Sequence, residues 1–196
     1  YLPGPLATLL LADLGAQVLK IEPPGGDPMQ ELGPRDAAGQ PIFYASINAG
    51  KAVRRMDLKD PATRGDFLHL VEHADILLES FRPGAMARLG LDYATLSAVN
   101  PRLVYCALSG YGAFGPRANE AGHDANYLAL TGVLHRNGRH SPDYFDPPVA
   151  DCSGGLFTVI AILAALRARA QDGRGCEIDL GLADAVAPLQ SFHIAD

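Results

Sequence analysis

Short apolar runs alternate along the chain with longer segments in which apolar residues recur at helical spacing. The short runs predict buried strands, because turn-forming or charged residues bound each of them. The longer segments predict helices, and proline or aspartate precedes several of them, as is typical of helix starts. We predict strands at residues 17–21, 52–58, 75–79, 103–108 and 177–180, and helices at residues 6–14, 61–73, 92–99, 126–130 and 154–169, followed by a last helix that contains Pro188.

The alternation of strands and helices predicts an α/β fold with a Rossmann-like parallel sheet flanked by helices. A segment rich in Gly, Pro and Asp, residues 22–40, is expected to be a loop without regular structure. Ligands of such sheets bind in the loops beyond the carboxyl ends of the strands. The loops after the predicted strands are therefore the expected ligand-binding edge.

The composition is that of a globular domain with one hydrophobic core. The chain has 196 residues, of which 48% are hydrophobic and 19% charged, and its formal net charge is −6. This acidic balance argues against a nucleic-acid-binding surface as the main function. Three scattered cysteines, Cys106, Cys152 and Cys176, form no CxxC pair, which favours free thiols in a reducing, cytoplasmic compartment.

No segment of the sequence predicts contact with a membrane. The apolar stretch at residues 6–12, taken as the longest, is too short to span a bilayer and is followed by Asp13. No basic region precedes it, so it does not resemble a signal peptide. The chain begins with Tyr1 rather than Met and opens on a helix, which indicates a piece of a longer protein.

A GxGxxG pattern at residues 110–115 follows the strand predicted at residues 103–108. Dinucleotide-binding loops carry the same pattern, but there a helix begins directly after the glycines. Here Pro116 and Arg117 follow, and no acidic residue ends a following strand at the required distance. The pattern therefore favours a glycine-rich turn beside a ligand crevice over a nicotinamide or flavin site.

The run His69-Leu70-Val71-Glu72-His73 matches the HxxEH pattern of a class of zinc proteases. Its two histidines stand four residues apart on one face of a predicted helix, a spacing that allows them to share a metal ion. Zinc needs a third protein ligand, and the sequence nominates none from elsewhere. A solvated helix end is the simpler interpretation, and we expect no metal site.

Other reactive side chains have less specific surroundings. Cys152 lies beside Asp151, but a lone cysteine before two glycines is more typical of a packing residue than of a nucleophile. Asp179 and Asp184 are expected in solvated loops. Basic residues near the predicted strand ends indicate either a phosphate-bearing ligand or ordinary surface charge. These basic residues are Lys51, Arg54, Arg55, Lys59, Arg82 and Arg88.

Two segments place acid–base groups at predicted helix starts. The first is the run Gly122-His123-Asp124-Ala125-Asn126-Tyr127, and the second contains Asp151, shortly before residues 154–169. A helix start favours an anion. A histidine and a carboxylate in different environments are suited to proton transfer. Spacing alone does not show that His123 and Asp151 face one another.

These two segments, together with eight others along the chain, resemble the class III CoA-transferase superfamily, which includes α-methylacyl-CoA racemases. The resemblance implies a large CoA-binding α/β domain whose first strand, small domain and C-terminal return lie outside residues 1–196. It also implies an interlocked homodimer, and it makes the run at residues 110–115 a family turn. The matching segments are residues 2–5, 11–16, 48–51, 56–59, 79–84, 88–91, 100–103, 108–112, 122–130 and 150–151 with 154–155.

The GHDxNYLAL segment resembles the racemase branch of this superfamily. The resemblance implies that His123 and Asp151 exchange protons with C2 of a 2-methylacyl-CoA from opposite faces. The thioester makes that C–H acidic enough to ionise where the enolate is stabilised. No metal or organic cofactor is implied, since CoA is part of the substrate. Gly154 and Gly155 are expected to let the thioester approach the backbone closely.

The transferase branch is the alternative implied by the same resemblance. There the aspartate that matches Asp151 is a nucleophile that forms covalent acyl and CoA adducts. His123 favours racemisation, because transferases usually lack this histidine, whereas the longer region at residues 31–44 resembles transferases. A third interpretation is a CoA-binding domain without catalysis, because the downstream half of the family is absent from the sequence.

Contacts to CoA are carried over from the resemblance only where the motifs match. The turn Pro23-Pro24-Gly25 lacks the arginine that precedes Pro-Gly in the racemases, so one phosphate contact is not carried over. We expect acyl-CoA and a second copy of the chain as partners, without nucleic acid or membrane. The expected CoA contacts are Met56, Asp57, Leu58, Lys59, Glu79, Ser80, Phe81, Arg88, Gly122, Asp124, Ala125, Asn126 and Tyr127.

Overall fold

Parallel strands and the helices between them build the fold, which a computed structural model describes for residues 1–138, 140–144 and 146–194. The strands are β1 (Leu19–Glu22), β2 (Ala52–Arg55), β3 (Ile76–Glu79), β4 (Val104–Ser109) and β5 (Cys176–Gly181). The helices are α1 (Pro3–Asp13), α2 (Ile42–Ile47), α3 (Pro61–Glu72), α4 (Ala85–Arg88), α5 (Tyr93–Val99), α6 (Asp124–Leu130), α7 (Val133–Asn137), α8 (Val149–Asp172), α9 (Leu182–Val186) and α10 (Ser191–Ile194).

The strands pair into two parallel sheets within the described part of the chain. β1 pairs with β2, and Leu19 lies opposite Ala52. β4 lies between β3 and β5, so that Val104 is opposite both Ile76 and Cys176. The α/β class with parallel sheets flanked by helices is therefore confirmed. Among the described residues, no hydrogen-bonded ladder joins β1 or β2 to the three-stranded sheet.

Helix α8 begins at Val149 rather than at Gly154, where the sequence pattern placed its start. Pro148 precedes the first turn, and its fixed φ suits a helix start. The Asp124 side chain accepts the backbone N–H of Asp151, one of the N–H groups that a first turn leaves without an intrahelical partner. Asp151 consequently lies inside the first turn of α8 and not in front of it.

Several other bounds differ from the prediction for local reasons. The helices α2, α4 and α7 are too short to show a periodic pattern, and a 3-10 turn at Pro28–Glu31 lies in the segment expected to be irregular. β2 ends at Arg55, because Asp57 then accepts the N–H of Lys59 and forms a turn. The last predicted helix is divided, since Pro188 falls in a 3-10 turn between α9 and α10.

The hydrophobic core lies on both faces of β4. Tyr105 packs into a cluster with residues of α3 and α5, whereas Cys106 packs into a cluster with residues of α1 and α8. Successive residues of a strand point to opposite faces, which explains this division. A third cluster joins Tyr127 of α6, Ala150 of α8 and Leu182 of α9. This third cluster holds the starts of α6 and α8 together.

Helix α8 also contains a longer apolar segment than the stretch at residues 6–12, so the prediction of the longest stretch is wrong. Within the described ranges it is the one helix that is long and apolar enough to cross a membrane, with a mean hydropathy of 2.0 over its most apolar window. A helix in the core of a domain passes the same test, and α8 packs against α1, α9 and β4. The absence of membrane contact stays a prediction.

Candidate active site

The starts of α6 and α8 meet, and each carries one of the two predicted acid–base residues. His123 directly precedes α6, and Asp151 lies in the first turn of α8. Asp124 Oδ1 accepts the backbone N–H of Asp151 at 2.9 Å. Because Asp124 follows His123 in the chain, this hydrogen bond brings His123 and Asp151 into one site. His123 is exposed and Asp151 is half-buried.

The surroundings of Asp151 favour its protonated form. Burial raises the pKa of Asp151 to about 6, the negative charge of Asp124 adds to the increase, and His123 opposes it. A carboxyl group with a pKa in this range has substantial populations of both protonation states near neutral pH. Asp151 is therefore able both to accept a proton and to donate one.

The backbone around His123 is fixed by side chains of the same segment. Asn126 Oδ1 accepts the backbone N–H of His123 at 2.9 Å, and the Tyr127 hydroxyl donates to the carbonyl of Gly122 at 2.7 Å. Burial, with a contribution from the charge of Asp151, raises the pKa of Tyr127 to about 12, so its hydroxyl remains a donor. The side chains of Asn126 and Tyr127, two of the expected CoA contacts, therefore form hydrogen bonds within their own segment.

The GxGxxG segment is a turn that packs against this site, as the sequence analysis favoured. No helix begins within residues 110–123, all of which the structure describes. Gly110 has to be a glycine, because a Cβ there would lie 2.6 Å from the Tyr127 hydroxyl. Both carboxylate oxygens of Asp179 accept the N–H of Ala113, at 3.0 and 2.9 Å. Sequence reasoning missed this role of Asp179, which ties the turn to the end of β5.

The two glycines of α8 serve helix packing, which corrects their expected role beside the thioester. A Cβ on Gly154 would lie 2.1 Å from Cδ2 of Leu182, and a Cβ on Gly155 would lie 3.1 Å from the carbonyl oxygen of Pro3. Both glycines are buried. Residues of α9 and α1 fill the space that a side chain would take at each glycine, so a substrate has no access to these two positions.

The segment after β2 presents only part of its predicted CoA contacts to solvent. Met56 is 4% exposed and belongs to the core, and Leu58 packs against the same cluster. Asp57 and Lys59 are exposed, and Asp57 Oδ1 accepts the N–H of Lys59 at 3.0 Å. The side chains of Asp57 and Lys59 are therefore accessible to a ligand, whereas the side chain of Met56 is not.

The loop after β3 is held by a half-buried carboxylate. Glu79 accepts the N–H of Phe81 at 2.6 Å and the hydroxyl hydrogen of Tyr105 at 3.2 Å. Burial raises the pKa of Glu79 despite both hydrogen bonds. Ser80, Phe81 and Arg88 are exposed. The exposed side chains are available to a ligand, whereas Glu79 shapes the loop that carries them.

Lys51 differs from the other basic residues, because it is not a surface cation. Its Nζ donates to the carbonyl oxygens of Pro5 and Ile47, both at 2.8 Å, and to Asn48 Oδ1 at 3.2 Å. Burial lowers the pKa of Lys51 to about 8. Lys51 thus joins the start of α1 to the end of α2, and its ammonium has no donor left for a phosphate.

Comparison with known proteins assigns this chain to a family. The sequence profile of CoA-transferase family III matches residues 1–196. The chain belongs to CoA-transferase family III. A CAIB/BAIF family protein from Brucella suis, known from its crystal structure, superposes with a TM-score of 0.94 and 35% identity, over 99% of this chain and 53% of that one. The resemblance drawn from the sequence motifs is confirmed.

Curated members of the family differ in the activity that their names state. An acetyl-CoA:oxalate CoA-transferase of Acetobacter aceti is 40% identical over 93% of this chain and 48% of its own length. An alpha-methylacyl-CoA racemase of Homo sapiens is 38% identical over 97% of this chain and 47% of its own length. The family III chain described here therefore spans about half the length of these relatives.

Proposed function

We propose that the protein racemises a 2-methylacyl-CoA by proton transfer at C2, with His123 and Asp151 as the acid–base pair. The observation that supports this proposal is the hydrogen bond from Asp151 N–H to Asp124 Oδ1, which brings the two residues to one place. Membership of CoA-transferase family III supports an acyl-CoA substrate. By resemblance to the family, the full protein is expected to act as a homodimer.

The proposed reaction uses the two residues in turn. Ionised Asp151 removes the proton from C2, the C–H electron pair moves into the thioester, and its carbonyl oxygen gains the negative charge. Protonated His123 then returns a proton to C2 on the opposite face, and the charge moves back. In the other direction, neutral His123 is the base and protonated Asp151 is the acid. The positive end of α8 favours the enolate between these two steps.

The electrostatics of Asp151 suit this exchange of roles. Its pKa of about 6 means that the proton it has accepted is held more firmly than by an ordinary aspartate. A base whose pKa lies close to the working pH is the most effective catalyst of proton transfer. Asp151 reaches this range because burial disfavours its charged form.

The alternative function is transfer of CoA between carboxylic acids. It is favoured by the acetyl-CoA:oxalate CoA-transferase from Acetobacter aceti, a relative that is 40% identical to this chain. In this reaction the Asp151 carboxylate attacks the thioester carbonyl, and the C–S bond breaks to release CoA thiolate and leave an acyl anhydride on Asp151. The raised pKa of Asp151 does not oppose this role, since a carboxylate with a higher pKa is a better nucleophile.

Exchange of solvent deuterium into C2 distinguishes the two functions. The full-length protein is incubated in D2O with a single enantiomer of a 2-methylacyl-CoA, and the label at C2 is followed by mass spectrometry. Racemisation predicts incorporation together with loss of optical purity. We expect His123→Ala to reduce both by about 10²- to 10⁴-fold, the usual contribution of a general acid–base residue.

The outcomes of this experiment separate three possibilities. Absence of exchange, together with a hydroxylamine-sensitive adduct on Asp151 in the presence of acyl-CoA, would favour CoA transfer over racemisation. Binding of CoA with neither reaction would favour a CoA-binding domain without catalysis. His135→Ala is the matched control, because His135 is exposed on α7 and should leave exchange unchanged.

A further inference from the structure

The exposed end of α3 presents three metal-binding side chains on one face. Glu72 and His73 follow His69 by three and four residues, the spacings at which side chains are neighbours on a helix surface. Their ligand atoms all lie within 4.8 Å of one another, and His69 Nδ1 is 3.0 Å from Glu72 Oε2. The imidazole rings of His69 and His73 meet edge to face, with centroids 5.2 Å apart.

Glu72 supplies the ligand that the sequence analysis did not find. The third ligand comes from within the HxxEH pattern itself and not from elsewhere in the chain. All three side chains are exposed, so rotation about their own bonds is not restricted by core packing. Three such ligands with water in the remaining position form an open site.

We propose that His69, Glu72 and His73 bind a divalent transition-metal ion of the Zn²⁺ or Ni²⁺ type. Bonds of about 2.0–2.2 Å to zinc place tetrahedral ligand atoms about 3.3–3.6 Å apart. His69 Nδ1 and Glu72 Oε2, which form a hydrogen bond, are 3.0 Å apart, and rotation of the exposed side chains is able to bring the remaining ligand atoms, all within 4.8 Å of one another, to this spacing. Imidazole nitrogens select such ions over Mg²⁺ and Ca²⁺, which prefer oxygen ligands.

The position of the cluster on α3 favours a cation. His69 and Glu72 lie in the last turn, and His73 is the residue at the end of the helix. The carbonyl groups at this end carry the negative pole of the helix dipole. Bound metal would therefore join the last turn of α3 and reduce its fraying, because a ligand that binds only the folded state stabilises it.

The cluster is distinct from the proposed acyl-CoA site. Lys59 lies just before the start of α3, whereas the cluster lies at its other end. The 12-residue helix is about 18 Å long. Metal at this position is therefore expected to add stability and to leave C2 exchange unchanged.

Calorimetric titration of the full protein, first stripped of metal with a chelator, tests the proposal. Zn²⁺ is the main probe, Ni²⁺ the second, and Mg²⁺ the comparison ion. We expect one Zn²⁺ site that is lost in the double variant His69→Gln/His73→Gln and at least about tenfold weaker in Glu72→Gln, since changes outside the ligands themselves already cost this much. His135→Gln is the matched control and should bind like the parent protein.

Each result of the titration bears on the proposal. Zn²⁺ should also raise the melting temperature of the parent protein and not that of the double variant, whose own melting temperature without metal should match the parent because the residues are exposed. An unchanged Zn²⁺ isotherm in the double variant would overturn the proposal, and so would Mg²⁺ binding as tight as Zn²⁺ binding. Absence of Zn²⁺ binding by the parent protein would overturn it as well.

Discussion

Two regions carry the residues expected to meet an acyl-CoA, and they differ in how their side chains are held. At the starts of α6 and α8, Asp124 is buried and bonded to the backbone of Asp151, and the Tyr127 hydroxyl is bonded to Gly122. In the loop segments after β2 and β3, Lys59 and Arg88, the last residue of α4, are exposed. The loops therefore present charge to solvent, whereas hydrogen bonds at the helix starts fix the backbone that carries His123 and Asp151.

This difference indicates a division of labour in the proposed function. Proton transfer requires groups that are positioned and whose pKa is tuned by their surroundings, and Asp151 meets both conditions. Recognition of the charged end of CoA requires cations within reach, which flexible surface side chains provide. Changes at the helix starts should therefore alter the rate or the stability, and changes in the loops should alter the affinity for substrate.

The largest effect is expected from Asp151→Asn. The substitution removes the acid–base group but keeps its shape, and the bond to Asp124 survives because it uses the backbone N–H. We expect the rate of C2 exchange to fall by about 10²- to 10⁴-fold with little change in KM. Asp184→Asn, an exposed aspartate, is the control. A loss of less than tenfold would contradict the role of Asp151 in proton transfer.

The next effect concerns the packing of the helix starts. Gly154→Ala places a Cβ at 2.1 Å from Leu182, so that α8 and α9 have to move apart. We expect the free energy of unfolding to fall by about 1–3 kcal/mol, as is usual for overpacking, in a denaturant titration. Gly65→Ala is the matched control, since Gly65 lies in α3 with open space around it and should gain up to about 1 kcal/mol.

The loops should show a smaller effect on substrate affinity. Arg88→Ala removes an exposed cation of α4, and we expect KM for acyl-CoA to rise about tenfold with kcat unchanged, as for the loss of one hydrogen bond to a charged group. Steady-state kinetics measures both constants. Arg167→Ala, an exposed arginine of α8, should leave KM as it is. A fall in kcat alone would contradict the proposed division.

Residue patterns predicted the local elements well and the contacts between them poorly. The strands of the three-stranded sheet agree with the predicted runs to within one residue at each end, because their apolar runs are bounded by charged or turn-forming residues. The early start of α8 was not predicted, since residues 149–153 show no helical periodicity and Asp124 completes the turn from far along the chain.

The sequence predicted the acid–base residues of the candidate site but not the contacts that hold them in place. His123 and Asp151 stood out by their positions at predicted helix starts, and the resemblance implied their roles. Only the fold shows that Asp124 accepts the N–H of Asp151 and so connects the two segments. Lys51 looked like a surface cation, because charge in a sequence carries no information about burial. Gly154 looked like a place for a ligand, because its partner Leu182 is distant in sequence and becomes visible only in the packed structure.

The smallest effect is expected from Asp124→Asn, which changes the charge beside Asp151. The negative charge of Asp124 contributes to the raised pKa of Asp151, after burial itself. Asp124→Asn keeps an oxygen that accepts the Asp151 N–H but removes the charge, so the pKa of Asp151 should fall. Because ionised Asp151 is the proposed base, the acidic limb of the pH–rate profile should move to lower pH, by less than about one pH unit since burial remains.

A matched pair of variants separates this charge effect from a loss of support. Asp124→Ala removes both the charge and the accepting oxygen, so it should also free the N–H of Asp151 and lower the maximum rate, whereas Asp124→Asn should keep that maximum. The two profiles are measured as C2 exchange at a series of pH values with saturating substrate. A limb that stays in place in Asp124→Asn, or moves to higher pH, would mean that burial alone tunes Asp151 and that Asp124 serves only to fix the start of α8.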